Sequence, residues 1–221
     1  DYSSSTSYST PPIVIDLGGD GVDLYAKGQS PARFDVDDDG YLETTAWAGP
    51  KDGILVIDEG ADNQITQSKE IAFAKWTAAD DTDLQGLAAT FDSNHDGVLD
   101  ARDTRFADFK VWTDANSNGT VDAGEMQTLA QAGIKSLNLQ VKDGTSANLD
   151  DGSIIHGLFA IQRTDGKPIQ GADVSLAYNL QGYRTRTDAQ GNTLIEFESG
   201  SALHYRNMGA LEGNASFNLG T

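Results

Sequence analysis

The chain has 221 residues and a formal net charge of −19, from 34 acids against 15 bases. That balance excludes a nucleic-acid binder, which needs a basic face, and argues against docking on anionic lipid. The absence of cysteine excludes a disulfide framework and a zinc-thiolate site, and no apolar run approaches the ~18 residues of a membrane span.

The acids are unevenly chosen and unevenly placed. There are 27 Asp and 7 Glu. Glu suits helices, whereas Asp suits turns, where its short side chain bonds nearby backbone. Residues 1–125 carry 25 acids and 8 bases; residues 126–221 carry 9 and 7. The abrupt start and stop suggest a piece of a larger chain, and the piece itself is expected to be monomeric.

In chain order, residues 1–11 open with seven Ser or Thr in ten and read as a linker that cannot bury a core. From Ile13 short apolar runs alternate with Asp/Gly clusters: Ile13-Val14-Ile15, then Ile54-Leu55-Val56-Ile57. Helical spacing predicts helices around Ile71–Trp76, over Leu84–Phe91 with Asp80, Asp81 or Thr82 as cap, and at Phe106–Phe109. Another is expected over Met126–Ala130, closed by Gly133. Beyond about residue 134 the apolar period becomes two, at Leu137/Leu139/Val141, Val174/Leu176/Tyr178 and Thr193/Ile195/Phe197, with Asp188–Asn192 as a hairpin turn. The expected fold is therefore α+β. Residues 12–141 form a module of acidic loops and short helices, and residues 142–221 are β-rich, completing that domain or forming a second lobe.

The acidic clusters have the spacing of calcium loops. Calcium takes six to eight oxygens at about 2.3–2.6 Å, and an EF-hand loop supplies them from positions 1, 3, 5, 7, 9 and 12 around a glycine at 6. The run Asp114, Asn116, Asn118, Gly119, Thr120, Asp122, Glu125 fills every one of these places. So does Asp92, Asn94, Asp96, Gly97, Val98, Asp100, Asp103, with the shorter Asp at 12. Both loops are expected to run directly into a helix. A third loop, Asp35, Asp37, Asp39, Gly40, Tyr41, Glu43, lacks only the last ligand, where Ala46 stands. Without a cation its three carboxylates would repel one another on one turn. The fourth, Asp58, Asp62 and Gln64, has Gly60 at position 3, Asn63 at 6 and Glu70 one place late. The fifth, Asp16 and Asp20, has Gly18 at position 3 and compressed spacing. These last two fit an ordinary Gly/Asp turn equally well. Between two and five calcium ions are expected.

Other chemistry is sparse. His95 sits at a non-ligand place in a loop, and His156 and His204 are isolated. No HExxH, GxSxG or phosphate-loop motif occurs, and no nucleophile–base pair stands out. No catalytic residue is assigned.

The ordered motifs carry a resemblance. Pro12-Ile-Val-Ile-Asp16-Leu-Gly-Gly-Asp-Gly21, Phe34–Gly40, Thr45-Ala-Trp47, Asp52–Asp58, Leu87–Gly97 and Phe106–Asn116 resemble, in order and spacing, a calcium-binding module of large bacterial RTX proteins. The stretch is similar to the FrpC-like self-processing module and to the peptide-binding domain of RTX adhesins. The first resemblance implies calcium-triggered cleavage of an Asp-Pro bond just before the module, with the Asp side chain attacking its own carbonyl. The chain has Thr10-Pro11-Pro12 there and no Asp-Pro dipeptide anywhere. The second implies a secreted or cell-surface adhesin module that binds an extracellular peptide or protein, with a ligand carboxylate on calcium. That binding module is the expected function, biofilm adhesion its context, and self-processing or a calcium-rigidified spacer the alternatives. The expected open loop is Asp35–Glu43; Trp47 and Tyr183 are candidates to flank a groove, but each fits a core place better. Gly166–Leu176 with Thr187–Gly191 weakly resembles small prealbumin-like or Ig-like β-modules.

Overall fold

The computed structural model describes residues 8–78, 81–189 and 191–198. Part of the linker, Asp80, His204 and the end of the β-rich segment lie outside the described residues. The strands in chain order are β1 Tyr8–Thr10, β2 Ile13–Ile15, β3 Leu24–Tyr25, β4 Arg33–Phe34, β5 Glu43–Thr44, β6 Trp47–Ala48, β7 Gly53–Ile57 and β8 Val98–Asp100. They continue with β9 Phe109–Trp112, β10 Met126–Thr128, β11 Ile134–Asn138, β12 Ala147–Asn148, β13 Ile154–Arg163, β14 Ile169–Tyr178, β15 Tyr183–Thr187 and β16 Thr193–Phe197.

One antiparallel sheet organises the molecule, in the order β10-β9-β7-β2-β14-β13-β11-β8, with β1 on β14 and β12 on β13. The pairs β3–β6, β4–β5 and β15–β16 stand beside it. The apolar runs explain the centre of the sheet. Side chains alternate between faces, so Ile13, Ile15, Leu55 and Ile57 point to one core while Val14, Ile54 and Val56 point to another. A strand buried on both faces reads as a continuous apolar run rather than an alternating one. The first core packs Phe73, Phe91 and Phe109, with Phe91 and Phe109 centroids 5.0 Å apart and edge to face. The second packs Phe34, Trp47 and Trp112, with the two indoles 5.5 Å apart.

The α+β expectation is corrected by this architecture. Among the described residues there is one α-helix, α1 (Asp83–Thr90), and three single turns of 3-10 helix at Ser68–Glu70, Phe73–Trp76 and Phe106–Asp108. The N-terminal part is built from short strands and loops rather than helices, and the two longest strands, β13 and β14, lie in the C-terminal part. Helix α1 was legible because its cap was: Thr82 and Gln85 close a capping box. The expected helix at Met126–Ala130 is a strand followed by a turn, since Met126 and Thr128 pair with Trp112 and Lys110. Two turns' worth of apolar spacing is too little to distinguish a helix from a strand that tertiary pairing can claim. The helix expected at Phe106–Phe109 shrinks to one 3-10 turn, and Phe109 opens β9. The helix-loop-helix frame of an EF-hand is likewise absent around the described acidic loops. Only Asp92 follows an α-helix, and the Asp114 loop opens into β10.

Candidate metal centre

Four acidic loops adjoin strands of this sheet and a fifth, Asp35–Glu43, joins β4 to β5 beside it; all five fold in the same way. The position-1 carboxylate accepts from the backbone amides at positions 5 and 6, one on each oxygen. For Asp35 the donors are Asp39 (3.0 Å) and Gly40 (2.9 Å); for Asp58, Asp62 (3.2 Å) and Asn63 (3.0 Å). For Asp92 they are Asp96 (3.2 Å) and Gly97 (2.9 Å); for Asp114, Asn118 (3.1 Å) and Gly119 (2.8 Å). Asp16 repeats the pattern with Asp20 (3.2 Å) and Gly21 (3.0 Å). In four loops the amide at position 7 (Tyr41, Gln64, Val98, Thr120) donates to the side chain at position 5.

The backbone repeats as well. Positions 4 and 6 are left-handed in every loop: Gly19, Asp38, Ala61, His95 and Ser117 at position 4, and Gly21, Gly40, Asn63, Gly97 and Gly119 at position 6. Asp38 (φ 64°) and Ala61 (φ 51°) adopt this conformation against their steric preference, which costs energy that the surrounding hydrogen bonds must offset. At Gly119 a second constraint applies, because a Cβ there would collide with the Arg33 carbonyl. The loops at Asp16 and Asp58, with Gly at position 3, thus take the same turn as those that match the full pattern.

Each loop is closed by a buried acid. Glu125 accepts from the amides of Ala115 (3.0 Å) and Asp122 (2.9 Å), which are positions 2 and 9. Asp103 does the same with Ser93 (2.8 Å) and Asp100 (2.9 Å), and Glu70 with Glu59 (3.1 Å) and Thr66 (2.9 Å). Glu70 therefore closes its loop from one place late. In the Asp35 loop, where Ala46 holds position 12, Glu43 accepts from the position-2 amide of Val36 (3.1 Å). In the Asp16 loop the amide of Asp23 donates to Asp52 (2.6 Å). Asp52 was not among the sequence candidates. It lies far along the chain from Asp16, and only the pairing of β2 with β7 brings it to that loop.

What differs is which carboxylates converge. Asp35, Asp37 and Asp39 each offer an oxygen, and the three lie within 4.8 Å of one another. Two ligands on opposite sides of a calcium ion at about 2.4 Å would be separated by about that distance. Burial, reinforced by the neighbouring carboxylates, raises the pKa of Asp35 and of Asp37. Beside them Glu43 is 1 % exposed, and its Oε1 has no hydrogen-bond partner. Burial pushes Glu43 up to about 8, opposed by the Val36 amide and reinforced by the charges of Asp37, Asp35 and Asp39. Three clustered carboxylates and an unpartnered buried one form an all-oxygen donor set that suits a hard divalent cation.

The Asp92 and Asp114 loops spend their acids on protein partners. Arg102 bridges Asp96 (2.7 Å) and Asp100 (2.8 Å). The side-chain amides of Asn116 (2.7 Å) and Asn118 (2.9 Å) donate to Asp122. The Asp114 loop is also tied into the core: the Trp47 indole donates to Asp114 (2.8 Å) and the Trp112 indole to Glu125 (3.3 Å). Trp47 is wholly buried and lines no groove. Tyr183 is half-buried, with its backbone paired to Leu42. His156 bonds Ser175 (2.8 Å).

Residues 13–177 match the SPM domain family. The chain belongs to that family. Over 170 residues this SPM domain is also 35% identical to the iron-regulated protein FrpA of Neisseria meningitidis serogroup C. The alignment covers 75% of this chain and 15% of that protein, so the SPM domain spans a small part of its relative. The matched span contains all five loops, the closing acids, strands β2 to β13 and all but the last residue of β14.

Proposed function

We propose that this SPM domain is a calcium-dependent module of a secreted bacterial RTX-type protein, and that it binds an extracellular peptide or protein ligand. The observation that carries the calcium half is the convergence of Asp35, Asp37 and Asp39 oxygens within 4.8 Å. The resemblance to RTX modules and the FrpA likeness support the family context, and with it a location outside the cell, where calcium is millimolar and weak sites fill. Bound there, calcium would supply charge neutralisation and an open coordination place for a ligand carboxylate. Asp35, Asp37 and Asp39 would hold it and Glu43 would close the loop behind them. The edges of the sheet, β8 and β10, offer backbone groups for an extended peptide. Two or more ions are proposed for the whole domain. The test is calcium titration calorimetry on EGTA-stripped protein, followed by a peptide array with and without EGTA. Saturable binding that needs calcium supports the reading; no calcium uptake overturns it, and uptake without any peptide ligand leaves a calcium-rigidified spacer.

The match to the SPM domain favours a second reading, calcium-triggered self-processing. No Asp-Pro bond occurs in the 221 residues, so within them that route has no scissile bond. Intact mass spectrometry after long incubation in calcium decides between the two: an unchanged mass favours binding, new fragments favour processing.

A further inference from the structure

We infer that the loop at Asp58–Glu70 holds no metal, because the Lys110 ammonium already occupies its position-1 carboxylate, and that it acts as a calcium-independent clasp between β7 and β9. The inference rests on the calcium reading above, since it separates one loop from those that need an ion. Asp58 directly follows β7, and Lys110 lies on β9, where it pairs with Val56. The ammonium therefore reaches across one strand spacing to the loop. Lys110 Nζ lies 2.8 Å from Asp58 Oδ2 and 2.9 Å from Asn63 Oδ1, so it grips positions 1 and 6 together. The Asp58 side chain is buried and that of Lys110 three-quarters buried, which shields the pair from solvent screening.

Glu59 and Glu70 also have protein partners, while Asp62, at position 5, is exposed and accepts from the Gln64 amide. Arg105 holds Glu59 at 2.6 Å. Glu70 accepts from the amides of Glu59, Thr66 and Gln67. Position 3 is Gly60, which has no side-chain oxygen to give a metal. The Asp35 loop presents the opposite case. Its basic neighbour Lys75 reaches Asp38, at 3.5 Å, which is a non-ligand place. Among the described residues no basic group forms an ion pair with Asp35, Asp37 or Asp39. For calcium to take Asp58, a buried ammonium would have to give up both its partners, and an unpaired buried charge is costly. At Asp35 no such exchange is required.

The experiment compares the full chain with its Asp58→Asn, Lys110→Met and Asp37→Asn variants. Each is titrated with calcium chloride by calorimetry and melted in EGTA and in calcium. Asp58→Asn should keep the wild-type ion count, while Asp37→Asn loses an ion. Lys110→Met should lower the melting temperature in EGTA by about 5–15 °C, the size expected when one partner of a buried pair is removed. Loss of an ion on Asp58→Asn, or an unchanged EGTA melt for Lys110→Met, overturns the inference and leaves the calcium reading standing. Should Asp58→Asn fail to fold, Asp62→Asn, at an exposed place in the same loop, serves for the ion count and should also leave it unchanged. No calcium uptake by the wild-type chain overturns the calcium reading, and the contrast between the loops with it.

Discussion

The loops at Asp35–Glu43 and Asp58–Glu70 share a backbone and differ in charge. Both use Asp at position 1 to gather two amides, both force a non-glycine residue into left-handed backbone at position 4, and both are closed by a buried Glu. Yet burial raises the pKa of Asp35. At Asp58 burial also pulls upward, but the Lys110 ammonium and the amides of Asn63 and Asp62 outweigh it, and the pKa is lowered. The comparison teaches that the turn is not the metal site. The turn needs an Asp at position 1 and a residue tolerant of left-handed backbone at position 6; a metal site needs, in addition, carboxylates that no protein cation has neutralised.

The largest expected effect is calcium removal itself. A ligand present at 100 times its dissociation constant stabilises a fold by about 2.7 kcal/mol per site. In a chain of this size each kcal/mol is worth about 2–4 °C. Melting in EGTA should therefore fall by about 5–10 °C for each filled site, read by differential scanning calorimetry. A melt indifferent to EGTA would erase the distinction between the loops.

Next comes Asp114→Ala. It strands two loop amides and leaves the buried Trp47 indole without its acceptor, at a cost of about 1–3 kcal/mol. The variant should unfold earlier even in EGTA, because these bonds do not involve metal. An unchanged metal-free melt would show that the loop is not tied to the core through Trp47.

The third effect is pH dependence. The Glu43 carboxyl is raised from 4.5 to about 8 in the folded protein. A raised acid favours folding when protonated, so its contribution is full below about pH 4.5 and is lost as pH rises through about 8. Metal-free protein should thus melt lower at pH 8.5 than at pH 5.5 on this account, and Glu43→Gln should flatten that slope. A slope unchanged by Glu43→Gln would place the titrating group elsewhere. The smallest effect is expected from Asp62→Asn, an exposed place in the Lys110-clasped loop, which should change stability by less than about 0.5 kcal/mol.

How much of this was legible in the sequence follows from the range of each interaction. The loops were legible because Asp-x-x-x-x-Gly is local: the side chain bonds amides four and five residues on. The Glu closures at positions 12 and 13 were within the same reach. Asp52 was not, since its loop lies across a strand pairing that no local pattern encodes. The role of Lys110 was hidden for the same reason. The strands of the N-terminal part were misjudged as helices where runs were short, at Met126–Thr128 above all, because pairing with β9 overrides a weak period. The doubly buried β2 and β7 gave no alternation to read.

The most direct test of the central claim is the number of calcium ions bound by wild-type protein and by Asp37→Asn, counted by native mass spectrometry and calorimetry. Asp37 lies exposed in the one place, among the described residues, where three carboxylates converge, so the substitution removes a donor and little else. The variant should fold and bind one ion fewer. An equal count in both proteins, or no ion in either, would contradict that claim.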